Sequence, residues 1–145
     1  MSRAKKLFSA LIDEFQRIDI PGLKDAIKEG ALHRNGVSEK TIEIASAHIA
    51  IHTEPSGVTN VTVFDRPQGY PYKPGVGITF FLEESDEVHD PARVARDVLY
   101  WMSLHATIFR QRFDLHRIVE VFKELDSPTL RHEYWRTQRK IPAYT

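Results

Sequence analysis

Apolar residues recur at three- and four-residue steps near the start of the chain, a spacing typical of a helix that buries one stripe. The stripe comprises Leu7, Phe8, Leu11, Ile12, Phe15 and Ile18. Pro21-Gly22 interrupts it, and the apolar residues that follow predict a shorter second helix ending near Gly30. The chain is therefore expected to begin with two helices.

From Thr41 the apolar period falls to two, as in a strand whose side chains alternate between two faces. The alternation changes phase around Ala45-Ser46, where we expect a bulge within one strand over 41–53. Pro55-Ser56 supplies turn chemistry, and residues 58–65 are predicted to form the returning strand of a hairpin.

The turn also predicts the register of this hairpin. A two-residue turn centred on Pro55-Ser56 pairs His48 with Val63 and His52 with Thr59. Strict alternation then places five apolar residues on the core face: Ala47, Ile49, Ile51, Val58 and Phe64. A third strand over 76–82 completes the expected antiparallel meander.

The C-terminal half is predicted to be helical. Asp90-Pro91 is a helix start, and the rows of apolar residues after it extend to Phe113, with Trp101 in the middle of a wide buried face. Two further helices are expected from Asp114 and from Ser127-Pro128. The sequence thus predicts an α+β fold in one domain, 1–145: a three-stranded antiparallel meander packed by two N-terminal and three C-terminal helices.

Composition narrows the possible functions without choosing one. The 20 basic and 20 acidic side chains of this 145-residue chain cancel, so no overall field favours nucleic acid or anionic lipid. The absence of cysteine excludes disulfides, thiolate metal sites and cysteine nucleophiles. The sequence shows neither a signal peptide nor an apolar span, so we expect a soluble cytoplasmic protein with no cofactor.

A proline- and tyrosine-rich segment lies between the second and third predicted strands. Residues 65–75 carry three prolines, two glycines and two tyrosines. Proline limits the entropy lost when a loop is ordered, and tyrosine offers a rigid contact area. The candidate contact residues are Arg66, Tyr70, Tyr72 and Lys73. The alternative is an ordered hairpin loop whose tyrosines fold back onto the sheet.

A second candidate contact surface lies on the last predicted helix. It consists of Tyr134, Trp135 and Arg136, which are residue types that often anchor protein interfaces. Together with the loop, these residues favour an interaction or assembly module that works as a subunit of a larger complex. Its expected partner is another protein or a second copy of the chain.

Histidines suggest a second class of function, a metal protein or an enzyme. His48 and His52 project from the same face of the predicted strand, and Asp65 lies on that face in the expected pairing. Residues four apart on a strand are separated by roughly 13 Å, which is too far for one ion unless the strand bends. His105, in the apolar band of the long helix, is expected to be a hydrogen-bonded core residue.

The segment Gly36-Val37-Ser38-Glu39-Lys40-Thr41-Ile42 resembles the turn and recognition-helix start of helix-turn-helix DNA-binding proteins. In that pattern, glycine makes the turn, a small apolar residue anchors it and serine caps the next helix. The resemblance implies a small DNA-binding regulator with a helix over 38–50. Residues 43–52 contain no arginine or lysine to contact phosphates or bases, so nucleic acid is not the favoured partner.

Overall fold

The part of the chain that the structure describes contains one sheet of six strands, and each strand pairs antiparallel with the next strand in the chain. A computed structural model describes residues 3–34, 37–53, 55–56, 58–65, 75–82, 91–105 and 130–136. The strands are β1 Ile27–Arg34, β2 Val37–Ile44, β3 Ala47–Thr53, β4 Thr59–Phe64, β5 Val76–Leu82 and β6 His132–Arg136. The helices are α1 Arg3–Arg17, α2 Leu23–Ala26 and α3 Pro91–Leu104.

The expectation of a three-stranded meander with five helices is therefore wrong, although the fold is a mixture of helix and antiparallel sheet. Helices α1 and α3 contact each other and pack on one face of the sheet. Leu7, Leu11 and Phe15 recur every four residues along α1 and are buried against this face, as the stripe predicted. Among the described residues, no helix is long and apolar enough to span a membrane.

The predicted second helix is wrong beyond its first turn. Helix α2 ends at Ala26, and the next eight residues form β1, which pairs with β2. Strand β1 is at the edge of the described sheet, and consecutive positions such as Lys28, Glu29 and Gly30 place charged or small residues on both of its faces, so the sequence does not alternate cleanly. Gly30 lies opposite Thr41, and a Cβ there would come 2.7 Å from the Thr41 hydroxyl oxygen.

The expected bulge at Ala45-Ser46 is a hairpin turn that separates two strands. Ile44 pairs with Ala47, so two residues connect β2 to β3, and Ala45 has a positive φ of 55°. Tight hairpin turns require such a backbone conformation. A turn and a bulge both shift the phase of alternation, so periodicity alone does not distinguish them.

The hairpin of β3 with β4 forms as expected, but its register differs by one residue. His48 pairs with Phe64 and Thr53 with Thr59, so five residues separate the paired ends where a two-residue turn was expected. A one-residue slip moves every side chain of a strand to the other face. Val61 and Val63 therefore join the core, and Phe64 lies on the opposite face beside His48.

The C-terminal half combines confirmed and wrong predictions. Strand β5 forms where expected, and Trp101 is buried, with 5% of its surface exposed. Helix α3 begins at Pro91 as expected but ends at Leu104, short of the predicted Phe113, and residues 106–113 lie outside the described residues. The last predicted helix is wrong, because His132–Arg136 is a strand paired with β5. The helix predicted from Asp114 lies outside the described residues.

Candidate functional site

A cleft of about 80 Å³ lies between α3 and the strands β5 and β6. Helix α3 contributes Asp97, Tyr100, Trp101 and Leu104 to its walls. The sheet contributes Ile78, Phe80 and His132. Four of these seven side chains are aromatic rings, and one is a carboxylate.

Both walls of the cleft follow from the periodicity of their elements. The four helical residues are spaced three and four apart, so they lie along one stripe of α3. On the sheet, Ile78 and Phe80 alternate onto the same face of β5, and His132 is the cross-strand partner of Phe80. The pairing of β6 with β5 therefore completes the cleft.

Asp97 is the buried charge of this site, with 4% of its surface exposed. Its Oδ2 accepts a hydrogen bond of 2.8 Å from the backbone N–H of Leu130. Burial raises the pKa of Asp97, and that effect outweighs the opposing influence of the Leu130 N–H and of the charges of Arg93 and His132. The neighbouring groups thus offset only part of the free-energy cost of burying the Asp97 carboxylate.

His132 is held beside Asp97 by the same backbone unit. Its Nδ1 lies 2.8 Å from the carbonyl oxygen of Leu130. A carbonyl oxygen only accepts, so Nδ1 carries the hydrogen of this bond and Nε2 is left for other contacts. The Leu130 peptide groups therefore tie the helix wall to the sheet wall.

Two exposed apolar side chains flank the cleft. Leu104 is 62% exposed and Tyr134 is 46% exposed, and they are the large hydrophobic residues exposed within the described part of the chain. The Tyr134 ring stacks on His105 at 5.6 Å and lies 6.4 Å from Trp101. His105 thus belongs to an aromatic cluster beside the cleft and is only half-buried.

Strand β6 is the last strand of the described sheet on this side. The N–H of Phe81 in β5 donates to the carbonyl oxygen of Arg131, the residue immediately before β6. In an antiparallel pair every second residue forms such bonds, so the backbone groups of Glu133 and Trp135 also point towards β5. By the same alternation, the backbone N–H and C=O groups of His132 and Tyr134 turn away from β5. The cleft therefore lies next to backbone groups directed towards the edge of the sheet.

The predicted contact residues of the C-terminus are separated by the strand. Tyr134 faces α3, whereas Trp135 lies on the opposite face, where its ring covers Gly77 and its Nε1 donates to the Thr79 hydroxyl at 3.3 Å. Arg136 ends the strand opposite Val76. Tyr134 belongs to the cleft region, and Trp135 is a packing residue of the other face.

The predicted loop residues Arg66, Tyr70, Tyr72 and Lys73 lie outside the described residues. The base of that connection is described, and Asp65 closes it. Its Oδ1 accepts hydrogen bonds from the N–H groups of Gly75 at 2.9 Å and Val76 at 3.1 Å. Asp65 is thus engaged in holding the ends of β4 and β5 together.

The two candidate metal-binding histidines pair with different glutamates. His48 Nδ1 lies 3.3 Å from Glu43, and His52 Nδ1 lies 3.8 Å from Glu39. His48 also stacks on Phe64, and burial lowers its pKa despite the opposing charge of Glu43. Within the described ranges, no three histidine, aspartate or glutamate side chains are grouped to hold a metal ion.

The segment that resembles a helix-turn-helix motif does not form one. Residues 37–44 are strand β2, and their partner β1 occupies the place of the preceding helix. The two strands flank Asn35-Gly36, the dipeptide most typical of two-residue hairpin connections. The structure therefore removes the local basis for DNA recognition at this segment.

Comparison with protein-family models, with curated proteins and with solved structures found no match to this chain. The geometry of the cleft is therefore the basis on which we infer a function. The sequence pattern indicated Trp101 as a core residue but did not indicate Asp97, Leu104 or His132 as site residues. The available signal was an acid within the apolar rows of α3.

We expect Asp97→Asn to raise the melting temperature at pH 7. Since burial raises the pKa of Asp97, the folded chain binds this proton more tightly than the unfolded chain does. The free energy of unfolding therefore falls as pH rises from about 4 through the raised value. Asparagine removes this dependence and still accepts the Leu130 N–H.

Thermal unfolding measured between pH 4 and pH 7 tests this expectation. The matched variant Asp97→Ala leaves the Leu130 N–H without its acceptor and should cost at least about 1 kcal/mol. A lower melting temperature for Asp97→Asn at pH 7, with an unchanged pH dependence, would show that the charge of Asp97 stabilises the fold.

Proposed function

We propose that this protein is an interaction module that binds an extended segment of a partner protein along β6, with one partner side chain in the cleft. One observation carries the proposal: an apolar cleft flanked by two exposed hydrophobic side chains lies beside the edge strand of the described sheet. A monomer gains no stability from keeping Leu104 and Tyr134 in water. A partner that covers them gains apolar contact.

The edge of β6 suits a strand-like partner. The backbone groups of His132 and Tyr134 that turn away from β5 match those of an added strand, which would extend the sheet by main-chain hydrogen bonds. Side chains of an added strand alternate between the two faces. Every second residue of the partner would therefore point towards α3, where the cleft lies.

The size of the cleft limits what it can accept. Its volume of about 80 Å³ is roughly half that of the apolar cavity of about 150 Å³ that accommodates benzene. It fits one slender side chain better than an aromatic ring. Leu104 and Tyr134 then form the rim that excludes water around this anchor, an arrangement typical of interface hot spots.

Selection of peptides from a displayed random library on the immobilised protein tests this proposal. Peptides selected on the wild type should bind Leu104→Ser at least tenfold more weakly, because a short polar side chain replaces an apolar rim residue. Gln16→Ser, at an exposed position of α1 that does not line the cleft, is the matched control and should bind like the wild type. Equal binding to all three proteins would place the contact surface elsewhere.

A second arm tests the strand-like mode of binding. Tyr134→Ala removes the side chain, whereas Tyr134→Pro also removes an N–H that points away from β5 and so leaves the ladder with β5 intact. We expect the proline variant to bind the selected peptides more weakly than the alanine variant by about fivefold or more. Equal affinities would mean that the partner does not pair with β6.

A further inference from the structure

The cleft can do more than hold an apolar side chain, because the carboxylate of Asp97 lies among its aromatic rings. Asp97 is in the wall and almost fully buried, and one of its oxygens is bonded to the Leu130 N–H. Within the described residues, no basic side chain forms an ion pair with it. The charges of Arg93 and His132 act to lower its pKa against the larger effect of burial; Arg93 lies outside the cleft lining, and His132 lines the cleft opposite α3.

We propose that the cleft is selective for a lysine side chain of the partner segment, with the alkyl chain between the rings and the ammonium group beside Asp97. This inference rests on the proposed function for the identity of the partner. The cleft's preference for an alkylammonium group stands on its own geometry.

The rings around the cleft favour a cation. Phe80, Tyr100 and Trp101 line it, and a cation within about 6 Å of such a ring is attracted by the negative potential of the ring face. The attraction is largest where the cation is shielded from water. Three rings and one carboxylate on the walls of one narrow cleft thus provide both parts of an ammonium site.

The alternatives to an ammonium group fit less well. An apolar occupant such as leucine would displace the remaining water and increase the cost of keeping the Asp97 carboxylate buried. An acidic occupant would lie against that carboxylate and repel it. A guanidinium group is planar and wider than an ammonium group, and the small volume disfavours it.

Titration with a small probe tests the cleft without any partner. Proton–nitrogen correlation spectra of the wild type are recorded against n-butylammonium chloride and against n-butanol, at one ionic strength. We expect saturable shifts at Trp101 and Leu104, with at least tenfold tighter binding of the ammonium. Equal affinities for the two probes would overturn the inference, and this comparison needs no variant.

The Asp97→Asn variant tests whether the charge of Asp97 causes the preference of the cleft for butylammonium over butanol. The variant keeps an acceptor for Leu130 and loses the negative charge, so the tenfold preference for butylammonium should disappear while butanol binding persists. A preference that survives this substitution would overturn the role of Asp97.

The selected peptides separate this inference from the proposed function. Replacement of one lysine by norleucine, which keeps the alkyl chain and removes the ammonium, should weaken binding at least tenfold. Peptides that depend on Leu104 yet tolerate norleucine would support the proposed function and overturn the lysine inference. Butylammonium binding without any selected peptide would support the ammonium site and overturn the interaction module.

Discussion

Trp101→Ala should destabilise the protein by about 3–5 kcal/mol, the range for truncating a large buried aromatic side chain. Trp101 lies at the junction of α3 with the sheet and is 5% exposed. Its ring is 4.8 Å from His105 and 6.4 Å from Tyr134, so its removal leaves a cavity and deprives both neighbours of a packing surface. Urea unfolding followed by circular dichroism measures the change.

Leu104→Ala is the matched control on the same helix. Leu104 is 62% exposed, so its truncation should change the free energy of unfolding by no more than about 0.5 kcal/mol. Similar losses for the two variants would mean that exposure in the folded chain does not distinguish these residues. In that case α3 would be buried from both sides, and the proposed cleft would not be open.

Central elements of the fold were predictable because each buries one face. The stripe of α1 and the alternation of β5 appear directly in the sequence, since burial on one side imposes the period. Strand β1 did not show this signal. Lys28, Glu29 and Gly30 follow one another along it, because an edge strand does not need an apolar row.

Register was less predictable than the strands themselves. The positions of β3 and β4 followed from alternation, but their pairing depends on the length of the connection between Thr53 and Thr59. Pro55-Ser56 suggested a turn of two residues, whereas five residues separate the paired ends. The pairing register is consequently shifted by one residue, which places Val63 on the core face and Phe64 on the opposite face, the reverse of the prediction.

The cleft could not be predicted from local patterns, because its walls lie far apart in the chain. Asp97 and His132 are brought together by the pairing of β6 with β5 and by the Leu130 peptide groups. The helix predicted for residues 132–136 is incompatible with this pairing. The alternation of His132 and Tyr134 with Glu133 and Trp135 was the available strand signal, but five residues also fit a short helix.

Gly77→Val should destabilise the protein by about 3 kcal/mol, at the upper end of the usual range for overpacking. Gly77 is the cross-strand partner of Trp135, and a Cβ at this position would overlap the indole ring. The missing side chain allows the ring to lie flat across β5 and to donate its N–H to Thr79. An aromatic residue that covers a strand glycine in this way stabilises the pairing of the two strands near the edge of the sheet.

A double-mutant cycle separates this clash from the general effect of removing a glycine. In the wild type, Gly77→Ala should also destabilise, by about 1 kcal/mol or more, because its Cβ meets the same ring. In a Trp135→Ala background the clash is absent, and Gly77→Ala should be neutral or stabilising, since glycine within a strand is less favourable than alanine by roughly 0.5–1 kcal/mol. The destabilising effect of Gly77→Ala is therefore lost or reversed in the Trp135→Ala background, with a coupling energy above about 1 kcal/mol. Equal destabilisation in both backgrounds would show that Gly77 is required by the backbone of β5 and not by Trp135.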